Sequence, residues 1–147
     1  MVSKTILLVE DNPDDEALTF RALTKNNIGS HVVVAHDGAE ALDYLFCTEQ
    51  YSERDVNLDP EVVLLDLNLP KVSGLEVLHR LRTNERTKNL PVVILTSSNE
   101  EQDLLKGYDN GANSYVRKPV DFNEFIDAVR QLGLYWLELN EQPPARR

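Results

Sequence analysis

Short runs of branched apolar residues alternate along the chain with longer stretches whose apolar positions recur every three or four residues. The densest run, Val62-Val63-Leu64-Leu65, stands between Pro60 and Pro70 and predicts a strand buried on both faces, as in parallel sheets. Thr5–Val9, His31–Ala35, Pro91–Leu95 and Ser114–Arg117 predict four more strands. A helical pattern follows each. Asn12-Pro13-Asp14-Asp15-Glu16 puts a proline and acids in a first turn, where the acids suit the helix dipole. Asp37–Glu40, Ser73–Glu76 and Asp121–Glu124 have the spacing of a capping box.

Ala17, Phe20, Leu23 and Thr24 of the first helix are placed to face the sheet, and that helix should end near Asn26-Asn27 before Gly29. The second helix offers Ala41, Leu42, Leu45 and Phe46, and the third Leu75, Leu78, Leu81 and Arg82 up to about Asn84. The fourth, from about Asn99 to Asp109, has only Leu104, Leu105 and Tyr108, and so thin a stripe predicts a weakly held helix. The fifth has Phe122, Phe125, Ile126, Val129 and Leu132 before Gly133 interrupts the pattern, and Leu134–Leu139 is then apolar almost all round. The polar segment from Thr48 to Asp59 predicts a long loop, either functional or a passive insertion.

Five strand-then-helix units in strict alternation predict an α/β fold. It is a doubly wound, five-stranded parallel sheet with helices on both faces and right-handed crossovers. Residues 1–139 are expected to form a single domain with an extended last helix, and 140–147 a disordered tail.

Composition narrows the function classes. The 147 residues carry 25 acids against 15 bases, a formal net charge of -10, which argues against non-specific nucleic-acid binding and is compatible with a cation or a basic partner surface. No apolar run approaches the ~20 residues needed to cross a bilayer, and no leader pattern opens the chain, so a cytoplasmic location is expected. Cys47 is the only cysteine, which excludes an internal disulfide or a thiolate zinc site. His31, His36 and His79 lack ligand-like spacing.

The chemistry gathers at strand ends: Glu10 and Asp11 after the first, Asp66 after the third, Thr96 after the fourth and Lys118 after the fifth. In a parallel sheet these ends share one edge, where such sheets bind ligands. Clustered carboxylates call for a hard divalent cation, and Mg2+ prefers oxygen ligands. A lysine and a hydroxyl beside them are donors suited to a phosphoryl group. Asp14, Asp15 and Glu16 read as helix-start acids alone.

This pattern resembles the receiver domains of two-component response regulators over roughly Thr5 to Leu132. It is carried by Glu10-Asp11, by Asp66 within Leu64-Leu65-Asp66-Leu67-Asn68-Leu69-Pro70, and by Thr96-Ser97, Tyr115 and Lys118-Pro119. The resemblance implies that Asp66 accepts a phosphoryl group from the phosphohistidine of a sensor histidine kinase or a histidine-phosphotransfer protein. Asp11 and Asp66 would ligate Mg2+, Glu10 would act on it directly or through water, and Asn68 would offer its main-chain carbonyl. Lys118 would pair first with the acceptor carboxylate and then with the phosphoryl oxygens, while Thr96 would donate its hydroxyl to them. The Lys118–Pro119 bond would be cis, Tyr115 would be a switch aromatic, and the fourth helix, fifth strand and fifth helix would form the switched surface.

The chain would then be a signalling protein that catalyses only its own phosphorylation and dephosphorylation. Only about fifteen residues follow Leu132, so output is expected through protein contact, as in a stand-alone receiver or a phosphorelay intermediate. The segment from Thr48 to Asp59, the Leu-Asn-Leu-Pro-Lys run and Tyr135-Trp136-Leu137 resemble the small response regulators of cyanobacterial-type phytochrome kinases. The apolar end of the last helix suggests either folding back or a homodimer, with the dimer preferred. Rival readings are weaker. A haloacid-dehalogenase-type phosphatase needs an acid where Asn68 stands, and a flavin or nucleotide binder would not place Glu10 and Asp11 against phosphate. Thr96 could instead cap the fourth helix, and Tyr115 could be an ordinary half-buried strand residue. A receiver-like module that binds partners without phosphorylation usually lacks the acceptor or the lysine, and both are present.

Overall fold

The computed structural model describes residues 4–25, 30–56, 58–98 and 100–144. Strands β1 (Lys4–Val9), β2 (Ser30–Ala35), β3 (Val62–Leu65), β4 (Val92–Thr96) and β5 (Ser114–Arg117) alternate with helices α1 (Pro13–Lys25), α2 (Gly38–Phe46), α3 (Gly74–Arg82), α4 (Glu101–Asp109) and α5 (Phe122–Leu134). The strands form one parallel sheet in the order β2-β1-β3-β4-β5. This order reverses direction beside β1, so its ligand crevice lies outside the carboxyl ends of β1 and β3.

The central strands are unbroken apolar runs because both faces are covered. Leu7, Val9, Val63, Leu65, Val92 and Ile94 pack with α2 and α3, while Ile6, Leu8, Val62, Leu64, Val93 and Leu95 pack with α1 and α5. Asp37, Ser73 and Asp121 cap α2, α3 and α5 by accepting from Glu40, Glu76 and Glu124 N–H groups, as their spacing predicts. The Asn12 carboxamide oxygen accepts from Asp14 and Asp15 at 2.9 and 3.1 Å and fixes the start of α1.

Several expectations are corrected. The buried stripe of α1 is Thr19, Ala22 and Leu23 with Leu18 packed beside them, whereas Ala17, Phe20 and Thr24 face outward. Of the expected stripe only Leu23 is buried, because α1 carries apolar residues on two faces. On α4 the residues Leu104, Leu105 and Tyr108 are all exposed, and only Gly107 is buried. A Cβ on Gly107 would come within 2.7 Å of Ile94 Cδ1 and 3.3 Å of Tyr115 Cδ2, so the absent side chain sets how closely α4 lies on the sheet. Gly133 interrupts the apolar pattern but not the helix, consistent with the extended last helix expected: it is buried within α5, which continues as a π-helical turn over Tyr135–Leu139. The expected ends at Asn26-Asn27, Gly29 and Asn99 lie outside the described residues, as does Asn57 in the long loop.

The apolar C-terminal turn is divided between core and surface. Leu137 is buried and Trp136 packs on the α5 side of the core, and the Lys4 ammonium donates to the Leu137 carbonyl. Leu134, Tyr135 and Leu139 remain exposed. Residues 140–144 run without regular structure, with Gln142 Nε2 donating to Glu61 O at 3.3 Å, and 145–147 of the expected tail lie outside the described residues.

The long loop is largely exposed but anchored at Tyr51 and Arg54. A 3-10 turn over Glu49–Tyr51 folds back on α2, where the Tyr51 hydroxyl donates to Glu40 at 2.8 Å and its ring meets Tyr44 edge-on at 5.1 Å. Among the described residues no helix is long and apolar enough to cross a membrane.

Candidate functional site

Parallel pairing brings the strand-end residues to one edge. The Glu10 N–H is held by the Ala35 carbonyl at 3.0 Å, and the Asp66 N–H by the Val9 carbonyl at 3.2 Å. The Lys118 N–H donates to the Thr96 carbonyl at 2.7 Å. Gly74, at the start of α3, lies so close that a Cβ would sit 2.2 Å from the Asp66 carbonyl oxygen. The loop carrying Asp66 is therefore clamped between β1 and α3 by main-chain contacts.

Asp66 is buried, with different donors on its two oxygens. The Thr96 hydroxyl donates to Oδ1 at 2.9 Å and the Asn68 N–H donates to the same oxygen at 3.1 Å. The Lys118 ammonium donates to Oδ2 at 3.1 Å. Thr96 is completely buried and Glu100 stands at the N-cap of α4, so the Thr96 hydroxyl serves Asp66 and not the helix. Lys118 also donates to Glu10 Oε1 at 2.5 Å and to Asp15 Oδ2 at 2.9 Å.

Burial dominates the electrostatics of Glu10. Desolvation pushes its carboxyl up to about 7, against the lowering pull of the Lys118 hydrogen bond and charge, with the Asp66 charge adding to the rise. For Lys118, burial works against the charged form. The hydrogen bonds to Glu10 and Asp15 and the Asp66 charge outweigh it, so its pKa is raised and the ammonium is retained.

One oxygen from each of Glu10, Asp11 and Asp66 lies within 4.8 Å of the others. Three hard oxygen donors, two of them met by Lys118, suit a divalent cation of the Mg2+ or Mn2+ kind. Asp11 is exposed, which leaves the cluster open to solvent on its side.

Tyr115 on β5 is half-buried, its ring against Gly107 and its hydroxyl donating to the Ser98 carbonyl at 3.2 Å. The Ser98 hydroxyl in turn donates to Asp103 at 2.6 Å, tying the segment after Thr96 to the first turn of α4.

Two expectations fail here. There is no cis peptide bond among the described residues, so Lys118–Pro119 is trans. Three carboxylates already draw the lysine inward, and trans is the lower-energy form of an X–Pro bond by about 0.5–1 kcal/mol. Asp15 is more than a helix-start acid, because it contacts Lys118 directly. Its place in the first turn of α1, just after the strand-end acids Glu10 and Asp11, was the available signal.

A five-stranded sheet in this order, with paired acids after β1, an acid after β3, a hydroxyl after β4 and a lysine after β5, defines a receiver. The chain belongs to the response regulator receiver domain family, whose model matches residues 6–130. It is 35% identical over 142 residues to the response regulator Rcp1 of Synechocystis, covering 97% of this chain and 95% of that protein. The crystal structure of the Mn(2+)-bound form of Rcp1 superposes with a TM-score of 0.88 at 34% identity, covering 96% of this chain and 99% of that one. That of the phosphorylated cyanobacterial phytochrome response regulator RcpA gives 0.90 at 35% identity, covering 97% and 100%. The bacteriophytochrome response regulator AtBRR gives 0.76 at 53% identity, covering 96% and 100%. This chain is close in sequence and structure to single-domain phytochrome and bacteriophytochrome response regulators.

Proposed function

We propose that this protein is a cytoplasmic response regulator in which Asp66 accepts a phosphoryl group from the phosphohistidine of a sensor kinase. The observation that carries the reading is the asymmetric hold on Asp66: Thr96 and the Asn68 N–H on Oδ1, Lys118 on Oδ2. An Asp66 carboxylate oxygen forms the new bond to phosphorus as the phosphorus–nitrogen bond breaks, and the imidazole keeps the electron pair. Phosphoryl transfer asks the protein mainly for alignment and charge neutralisation. Lys118 and Thr96 are placed to receive charge on the phosphoryl oxygens.

Glu10, Asp11 and Asp66, with the Asn68 carbonyl, would hold Mg2+, whose chemistry is neutralisation of charge on the phosphoryl group. The Mn(2+)-bound Rcp1 structure supports a divalent ion at a site of this type. In this reading the phosphorylated form draws Thr96 toward the new oxygens. The Tyr115–Ser98–Asp103 contacts pass that movement to α4, so that α4, β5 and α5 become the switched surface. The exposed Leu104, Leu105 and Tyr108 give that surface its apolar character.

The likeness to phytochrome and bacteriophytochrome response regulators supports a light-sensing kinase as donor. A histidine-phosphotransfer protein would meet the same edge if the chain serves in a relay. Leu134, Tyr135 and Leu139 support a homodimer through the end of the last helix.

The test is incubation with Mg2+ and acetyl phosphate, followed by intact mass. One added phosphoryl group, lost with EDTA and absent from Asp66→Asn, is expected. Absence of both that adduct and any beryllofluoride binding would favour a phosphorylation-independent binding module. Lys118→Ala should leave Mg2+ binding largely intact while uncoupling phosphorylation from dimerisation or partner binding, which size-exclusion chromatography reads directly.

A further inference from the structure

Lys118 has three ammonium hydrogens and meets three carboxylates. Glu10 and Asp66 belong to the oxygen cluster that suits a cation, and Asp15 does not. Asp15 reaches the ammonium from the first turn of α1 at 2.9 Å, and its own side chain is 30% exposed. We propose that Asp15 is a positioning residue for the acceptor chemistry. It is a holding carboxylate that keeps one Lys118 hydrogen bond and thereby limits how fully the ammonium turns to a phosphoryl group on Asp66.

The proposal rests on the acceptor reading and deepens it. A cation bound by Glu10, Asp11 and Asp66 competes with Lys118 for two of its three partners and leaves Asp15 untouched. Asp15 is therefore the partner that persists when the site is loaded. A phosphoryl group on Asp66 carries roughly -1.5 to -2 units of charge in place of the carboxylate's single negative charge and offers new acceptor oxygens, while the lysine still has three hydrogens. Each bond retained by Asp15 is one withheld from the phosphoryl oxygens. Asp15 is partly solvated, whereas Glu10 is buried. A contact of this exposure carries a modest energy. It would tune the phosphorylated state without governing it.

The test compares full-length wild type, Asp15→Asn and Asp15→Glu. Three quantities are read: beryllofluoride affinity at saturating Mg2+ by titration calorimetry, aspartyl-phosphate half-life by intact mass, and the unfolding midpoint in EDTA. Asp15→Asn keeps an acceptor but removes the charge. It is expected to tighten beryllofluoride binding and lengthen the half-life by about two- to fivefold. Asp15→Glu is expected to restore wild-type values. A shift in the unfolding midpoint with unchanged affinity and half-life would reduce the contact to a structural ion pair and overturn the proposal. Weaker binding or a shorter half-life in Asp15→Asn would also overturn it, because Asp15 would then assist Lys118. Wild type that takes neither beryllofluoride nor a phosphoryl group would sink the acceptor reading and this proposal together, an outcome distinct from the other two.

Discussion

The two ends of the sheet each gather charged side chains and resolve them in opposite ways. Beside the amino end of β3, Arg86 NH1 lies 2.8 Å from both Asp59 oxygens and Arg54 NH2 lies 3.4 Å from one of them. The same two guanidinium groups also donate to the main-chain carbonyls of Tyr44, Leu45, Val56 and Leu58, and Arg54 lies over the Tyr44 ring at 4.4 Å. At the carboxyl ends the imbalance is reversed, because Glu10, Asp15 and Asp66 share Lys118 while Asp11 adds a further acid beside Glu10 and Asp66. Surplus donors can be absorbed by fixed backbone carbonyls, so the first end is closed. Surplus carboxylates must be met by a donor, a proton or a cation, so the second end is left to take up something from solution.

Mutations at the two ends should therefore differ in kind. The largest effect is all-or-none: Asp66→Asn should abolish the acetyl phosphate adduct, while leaving the urea unfolding midpoint near or above that of wild type. A midpoint that collapsed would show that the carboxyl-end acids are structural after all.

The next effect is set by pH. Glu10 titrates higher in the folded state than its usual 4.5, so its contribution to stability is fully present below that value and is lost as pH rises through about 7. Lys118, raised from 10.5, contributes constantly over the same window. In EDTA, stability should fall between pH 5 and 8 by on the order of 3 kcal/mol from this source. Glu10→Gln should flatten the fall, and equal slopes in both proteins would remove Glu10 as the cause.

At the closed end, Asp59→Ala leaves two arginines half-satisfied and should cost about 2 kcal/mol by urea unfolding, with adduct formation within about twofold of wild type. Loss of phosphorylation at equal stability would break the division between the ends. Smallest is Gly107→Ala, whose Cβ must displace Ile94 or Tyr115. A cost of about 1 kcal/mol is expected by the same measurement, together with a changed Tyr115 environment by NMR.

Much of this was legible in the sequence, for identifiable reasons. Val62–Leu65 is apolar without alternation because both sheet faces are covered, and that single fact implies parallel strands and a functional carboxyl edge. Asp66, Glu10, Asp11, Thr96 and Lys118 were legible as candidates because each stands at or just past the carboxyl end of a strand. What escaped was not periodic. The stripe of α1 was misjudged because Phe20 is apolar yet exposed, and a helix with two apolar faces does not say which one is buried. Asp15 was set aside because an acid in a first turn already has a local explanation. The hold on the long loop joins Arg86 to Asp59 and to Leu45, contacts 27 and 41 residues apart that local spacing does not encode. The trans bond at Lys118–Pro119 shows that several ion pairs can aim a side chain that a backbone isomer was expected to aim.

The π-helical turn at the chain's far end has an optical consequence. Trp136 is the only tryptophan, set edge-on to Tyr135 at 5.0 Å and lying in the groove between α5 and β5 beside Val116 and Leu132. Its emission is therefore a label-free gauge of one location: any rearrangement of β5 against α5 changes the colour and intensity of a single indole, with no second chromophore of its kind to blur the record.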